Sequence, residues 1–235
     1  MVLLGSIVNA VAIILAAMLG KRLQRIPERI KTTVMQAISL AIIVLGLQMG
    51  LESEKYLIVI SSIVIGAIIG EYFSLEDKLN SVGKYLEMRV GSNSEASLSQ
   101  GFVTATLIFV IGAMAVLGAL DSGLRGDHEI LYTKSIIDGF TALILTTTLG
   151  IGVMYSAIPV LLYQGSIALF ASQIHAFVPS EILNLFISEM TSTGGVMILA
   201  IGLNMLGITK IRVANLLPSI LVVAVMVASS FFIPM

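Results

Sequence analysis

Apolar runs close to twenty residues long recur along the whole chain, and no other feature constrains its fold as tightly. The first reads "MVLLGSIVNAVAIILAAMLGKRLQR", and comparable stretches follow at short intervals. About twenty apolar residues make a helix that crosses the roughly 30 Å hydrocarbon layer of a bilayer. Only 11% of the 235 residues are charged, against about 25% in soluble domains, so too few polar side chains exist to cover a water-facing globule. The expected fold class is all-α, a polytopic membrane helical bundle forming a single transmembrane domain over residues 1–235.

Eight spans are expected, over roughly 2–20, 32–50, 56–73, 101–120, 135–155, 157–177, 182–208 and 213–233. The first run carries its positive charges after the apolar core, the reverse of a cleavable signal, and is expected to stay as helix 1. With the loop after it inside, ten of the thirteen basic residues face inward: Lys21, Arg22, Arg25, Arg29, Lys31, Lys78, Lys84, Arg89, Lys210 and Arg212. Only Lys55, Arg125 and Lys134 fall outside. This is the positive-inside bias, and it places both termini outside. The inner segment 74–98 alternates Leu75, Leu79, Val82 and Leu86 with charges, the pattern of an amphipathic helix on the inner leaflet.

The chain has no cysteine and two isolated histidines, so neither thiol chemistry nor a metal or redox cofactor is expected. No phosphate-binding G-x-x-x-x-G-K-[ST] motif occurs, which excludes direct drive by ATP. No nucleic-acid surface is evident either. Helix contacts in lipid rest on small residues, and Gly5, Asn9, Ala12, Ala16 and Gly20 form such a stripe on helix 1, as Gly112, Ala115 and Ala119 do on helix 4.

Polar groups at span depth each need an explanation, because charge there is expensive and faces a bundle interior or a wet cavity. Asp138 follows Lys134 by four residues, one helical turn along the same face, and the two are placed to pair. Two readings stand open: a cavity lined by this pair and by Thr141 and Thr148, or a rim pair with threonines bonded to their own backbone. Asn9 needs a hydrogen-bond partner at its depth. Gln164 faces either a cavity or a structural partner. The stretch "SEMTSTGGVMILAIG" holds Glu189, Thr191, Ser192, Thr193, Gly194 and Gly195 on a membrane-crossing path. Adjacent glycines and hydroxyl residues suggest a helix break at 191–195, where a half-helix N-terminus meets an anionic or polar solute. The other reading is an outer turn above a short span. Glu189 is then either a proton or cation ligand or a solvated acid.

The pieces "GSIVNA", "IGAIIGEYFSLED", "GALDSGLRGDHEILYTKSIIDGF", "MTSTGGVMILAIGLNML" and "VANLLPSI" cover nearly the whole chain in order. Through them the chain resembles a bacterial family of small membrane proteins, the YdfK and YqgA type, domain of unknown function 554. The resemblance implies a bacterial inner or plasma membrane protein with weak ties to secondary transporters, and it carries no substrate. Its pattern overlaps Asn9, Lys134, Asp138, Gln164, Gly194 and Gly195.

The function expected is a secondary transporter or permease of a small anionic or polar solute, coupled to H+ or Na+. Asp138 and Lys134 are expected beside the break at 191–195, with Asn9 and Gln164 completing the pocket. A thin bundle of this mass is expected to form a homo-oligomer in the lipid bilayer. The alternative is a non-transporting scaffold or sensor acting through segment 74–98. No enzymatic constellation is expected.

Overall fold

A computed structural model describes residues 1–23, 28–81 and 98–232, and among them every regular element is helical. In chain order these are α1 (Leu4–Arg22), α2 (Glu28–Gly50), α3 (Tyr56–Tyr72), α4 (described over Leu75–Ser81), α5 (Leu98–Val110) and α6 (Ala113–Leu124). They continue with α7 (Glu129–Leu149), the 3-10 turn η1 (Ile151–Ser156), α8 (Ala157–Leu169) and α9 (Ala171–Phe177). The chain closes with α10 (Ser180–Met205), the 3-10 turn η2 (Val213–Leu216) and α11 (Pro218–Phe232). Residues 82–97, most of the expected amphipathic segment, lie outside the described residues.

Among the described residues, five helices are long and apolar enough to cross a membrane, or up to seven if each of two bent pairs counts as one span. The bent pairs are α3 with α4, at 56°, and α5 with α6, at 62°. Helix α7 has the length to cross, 21 residues or about 30 Å at 1.5 Å per residue, but carries Lys134 and Asp138. The all-α membrane bundle is thus the expected class, with five to seven candidate spans among the described residues against the eight expected.

The helices sort into two compact units. Unit 1 comprises residues 1–38, 80–110 and 114–176, and in it α1 lies along α7. A Cβ on Gly5 would stand 2.9 Å from Leu131 Cβ, and one on Gly20 would stand 2.5 Å from the Leu143 carbonyl oxygen. Between them a Cβ on Gly139 would lie 3.6 Å from Ala12. Residue numbers rise together along both helices, so they run parallel. The small-residue stripe read on helix 1 is this contact, as close packing in lipid requires. Helix α7 ends where Gly150 takes φ +78°, a conformation that side-chain-bearing residues adopt at a penalty.

Unit 2 comprises residues 39–79, 111–113 and 177–235. Here α2 crosses α10 backbone to backbone: a Cβ on Gly195 would fall on the Gly50 nitrogen and stand 2.8 Å from the Gly46 oxygen. Helix α3 packs on α11 and η2, with Gly66 against the Ser219 backbone and Gly70 against Asn215.

Two expectations are corrected. Residues 191–195 are not a break and not an outer turn. They lie inside the uninterrupted 26-residue α10 and are all buried. The glycines that suggested a break are there for neighbours, Gly195 for α2 and Gly194 for the Ile111 side chain. Close packing holds the helix against its low local propensity. The discontinuity lies instead at Ile111–Gly112, where Gly112 has φ +139°. Gly112, read from sequence as part of a contact stripe, is the hinge between α5 and α6.

Candidate functional site

The elements of unit 1 gather four of the expected site residues. Asp138 lies nine residues into α7, about 13.5 Å from its start at 1.5 Å per residue. The Lys134 ammonium donates to both carboxylate oxygens of Asp138 at 2.8 Å. From α1, the Asn9 amide Nδ2 donates to Asp138 Oδ2 at 2.9 Å and to Gln164 Oε1 on α8 at 3.3 Å. Asn9 and Gln164 are 0% exposed, Asp138 3% and Lys134 7%. The four side chains thus form one chain of hydrogen bonds from ammonium to carboxylate to two amides.

This cluster is not closed. Asn9 Oδ1, an acceptor, and Gln164 Nε2, a donor, are buried and have no partner among the described residues. The Ser6 hydroxyl, one turn before Asn9 on α1, is likewise buried and unmatched. A buried polar atom without a partner is destabilising by about 1–3 kcal/mol. Two amides and a hydroxyl in that condition beside an ion pair are the groups a polar ligand would satisfy. Ser6 was missed in the sequence, although its spacing of three from Asn9 was the available signal.

The expected threonine strip divides. Thr148 Oγ1 donates to the Leu145 carbonyl at 3.0 Å, and Thr146 and Thr147 bond to their own helix in the same way. Gly152 is taken up by contact with the Leu98 backbone.

Glu189, Thr191, Ser192, Thr193, Gly194 and Gly195 belong to unit 2. Glu189 is fully buried and is not a solvated acid. Its Oε2 accepts from Ser53 Oγ at 2.6 Å, and its Oε1 accepts from the backbone N–H groups of Glu54 and Lys55 at 2.9 and 2.8 Å. Glu54 and Lys55 lead into α3, whose N-cap position, Lys55, has no side-chain cap of its own. Glu189 therefore caps another helix, where the unpaired N–H groups and dipole attract an anion. Ser192 Oγ donates to the Gly50 carbonyl at 2.6 Å and Ser188 Oγ to that of Glu52. The polar run in α10 thus ties down the α2–α3 turn. The Thr191 and Thr193 hydroxyls are buried without a partner among the described residues.

Unit 2 holds a second network not read from the sequence. Asn215 Nδ2 donates to Glu71 at 2.5 Å, while its Oδ1 accepts from the Glu76 N–H at 2.7 Å. Arg212 donates to Glu71 at 2.6 Å, and the Ala214 N–H donates to Glu76. It clamps the α3–α4 elbow to η2. In unit 1, His128 Nδ1 lies 2.9 Å from Ser122 Oγ. Ser122 is 0% exposed, and among the described residues no carboxylate is bonded to the ring. No group of three or more His, Cys, Asp or Glu placed to hold a metal occurs among the described residues.

A family model described as "Protein of unknown function (DUF554)" matches residues 4–228. The chain belongs to that family. It is 34% identical over 228 residues, 95% of both chains, to the "Uncharacterized membrane protein YdfK" of Bacillus subtilis (strain 168). It is 31% identical over 223 residues, 93% of both chains, to the "Uncharacterized protein YqgA" of Escherichia coli (strain K12). No solved structure matches the chain. The resemblance read from sequence pieces is thus shown over almost the whole length, and this DUF554 chain is a membrane protein.

Proposed function

We propose that this DUF554 protein is a secondary transporter of a small polar solute in the bacterial plasma membrane, with its site at Asn9, Lys134, Asp138 and Gln164. The observation that carries this is the buried Lys134–Asp138 pair in mid-helix, linked to amides whose second polar atoms are unmatched. A buried ion pair adds little or nothing to stability over packed apolar residues, so architecture alone gives it no reason to exist. Inside a membrane, such groups mark ion and solute pathways.

Helix directions support eight crossings, which puts both termini on one side, and the positive-inside bias makes that side the outer one. Parallel α1 and α7 need an odd number of crossings between them, which α2, α3 and the bent pair α5–α6 taken as one span supply. If α5 and α6 crossed separately, α7 would run the other way. A broken span is also what transporters use beside their sites.

The test is reconstitution of the purified chain into proteoliposomes, with currents recorded on solid-supported membranes for a panel of amino acids, organic acids and inorganic anions under a pH gradient. Wild-type protein is expected to give solute-dependent currents that Asp138→Asn abolishes while the protein still reconstitutes. Silence of the wild type to the whole panel overturns the transport reading. Currents that survive Asp138→Asn move the site elsewhere.

A further inference from the structure

We infer that the cluster is a proton-switched anion site: a proton on Asp138 frees Lys134 for one small anion, so that solute and proton enter together. This rests on the transport reading and adds the class of solute and its coupling. The argument begins with charge. As found, Lys134 and Asp138 sum to zero, and a net charge left at that depth is penalised by several kcal/mol. A sodium ion alone on Asp138 would leave net +1; sodium with an anion would also sum to zero, and the carboxylic-acid band in the test below separates that case from a proton. An anion on Lys134 with Asp138 still ionised would leave net −1. An anion arriving with a proton leaves zero.

The amides are arranged to follow that proton. It comes from the aqueous phase and forms an O–H bond on Asp138 Oδ2, turning the carboxylate into a carboxylic acid. The new O–H must donate, but the group facing it is the Asn9 Nδ2, itself a donor. A half-turn of the Asn9 amide about its Cβ–Cγ bond presents Oδ1, the atom that now lacks a partner. The matching half-turn of Gln164 brings Nε2, also unmatched, toward Asn9 Oδ1. Every amide bond in the cluster is then remade with donor and acceptor exchanged. Lys134 keeps its three protons and turns the N–H groups released by the carboxylate toward the anion. Only the O–H bond forms, and nothing is oxidised or reduced.

Among the described residues, the elements around the cluster carry few other ionisable groups. Helix α7 meets α1, α5, η1 and, through Gly118, α6, while the cluster itself reaches α8. Helix α5 has no ionisable side chain. Helix α1 offers Lys21 and Arg22, twelve or more residues from Asn9 and so about 18 Å away along the axis at 1.5 Å per residue. Helix α6 offers Asp121, already paired with Arg125. The phenols of Tyr155 and Tyr163 stand on η1 and α8, and His128, Glu129 and Tyr132 stand at the start of α7.

The test is infrared difference spectroscopy of the full chain in lipid nanodiscs, with chloride, acetate and thiocyanate as probes. A lysine ammonium is a point charge with little geometric selectivity, so a small monoanion at high concentration serves as a surrogate solute. Each probe is expected to increase the carboxylic-acid C=O band at fixed pH and to shift the side-chain amide bands with it. The band should be lost in Asp138→Asn. In Lys134→Gln it should be present before any anion is added and indifferent to all three. By linkage, a lower pH should tighten binding of each anion by the factor through which that anion favours protonation. A band unchanged by all three anions, or one that persists in Asp138→Asn, overturns the inference. Anion-dependent protonation in a protein that gives no currents would sink the transport reading alone, and currents with an anion-independent band would sink only this inference.

Discussion

Glu189 offers the sharpest test of the structural reading, because two neighbouring substitutions separate a cap from an ion ligand. Its carboxylate receives three hydrogen bonds at 2.6–2.9 Å, two of them from the exposed N–H end of α3. Hydrogen bonds to a charged group contribute about 1.5–3 kcal/mol each, neutral ones about 1. A charge at a helix N-terminus adds about 0.3–1 kcal/mol, more when buried. Glu189→Gln keeps one oxygen for Glu54 and Lys55 but loses the charge and turns an amide N–H toward Ser53, so about 2 kcal/mol should be lost. Glu189→Ala leaves the Glu54 N–H without its acceptor and the Lys55 N–H with Ser53 Oγ alone, at 3.1 Å. Water reaches the exposed side of that turn and moderates the loss to about 3–4 kcal/mol. The measurement is reversible unfolding in mixed micelles with increasing dodecyl sulfate, followed by helical circular dichroism. Ser53→Ala combined with Glu189→Gln should cost less than the sum of the two single losses by about 1 kcal/mol, since the same bond is removed twice. The reasoning fails if Glu189→Gln is as stable as wild type within about 0.5 kcal/mol yet abolishes transport, for that is the behaviour of a ligand and not of a cap.

Gly195→Ala should prevent α2 and α10 from meeting, because its methyl falls on the Gly50 backbone; overpacking of about 1–3 kcal/mol or more should appear as loss of folded protein in size-exclusion chromatography. Gly126→Ala, with nothing within 4 Å but φ +66°, should lose only about 1 kcal/mol in the same unfolding assay. Asn215→Ala, which severs Glu71 from Glu76, should destabilise by about 2 kcal/mol or more, whereas Arg212→Ala, half of a solvent-facing pair, should lie within about 1 kcal/mol of wild type. Gly112→Ala places a methyl at φ +139° and should lose about 1–3 kcal/mol, with no difference from wild type refuting the hinge.

The membrane class and the Lys134–Asp138 pairing were legible because both depend on local spacing. Period and run length mark a span, and four residues bring two side chains onto one face. The need of Asn9 for a partner was legible too, but not which partner, since Asp138 and Gln164 stand 129 and 155 residues away. The polar run in α10 misled for the same reason. Hydroxyls and glycines beside each other weaken an isolated helix, whereas here Gly195 admits α2 and Ser192 and Glu189 bind the α2–α3 turn more than 130 residues earlier. Conversely, the actual discontinuity sits at a single glycine, Gly112, inside an otherwise ordinary apolar run. A single glycine bears no mark that separates a hinge from a packing contact.

The capping of α3 by Glu189 has a consequence for how the protein is made. Synthesis delivers α2 and α3 long before α10, so for more than a hundred residues of elongation the N-terminal end of α3 has no carboxylate to receive it and Gly46 and Gly50 face no backbone. The early hairpin is therefore expected to stay unfinished until α10 is made. Damage near the end of the chain should accordingly be felt first close to its beginning.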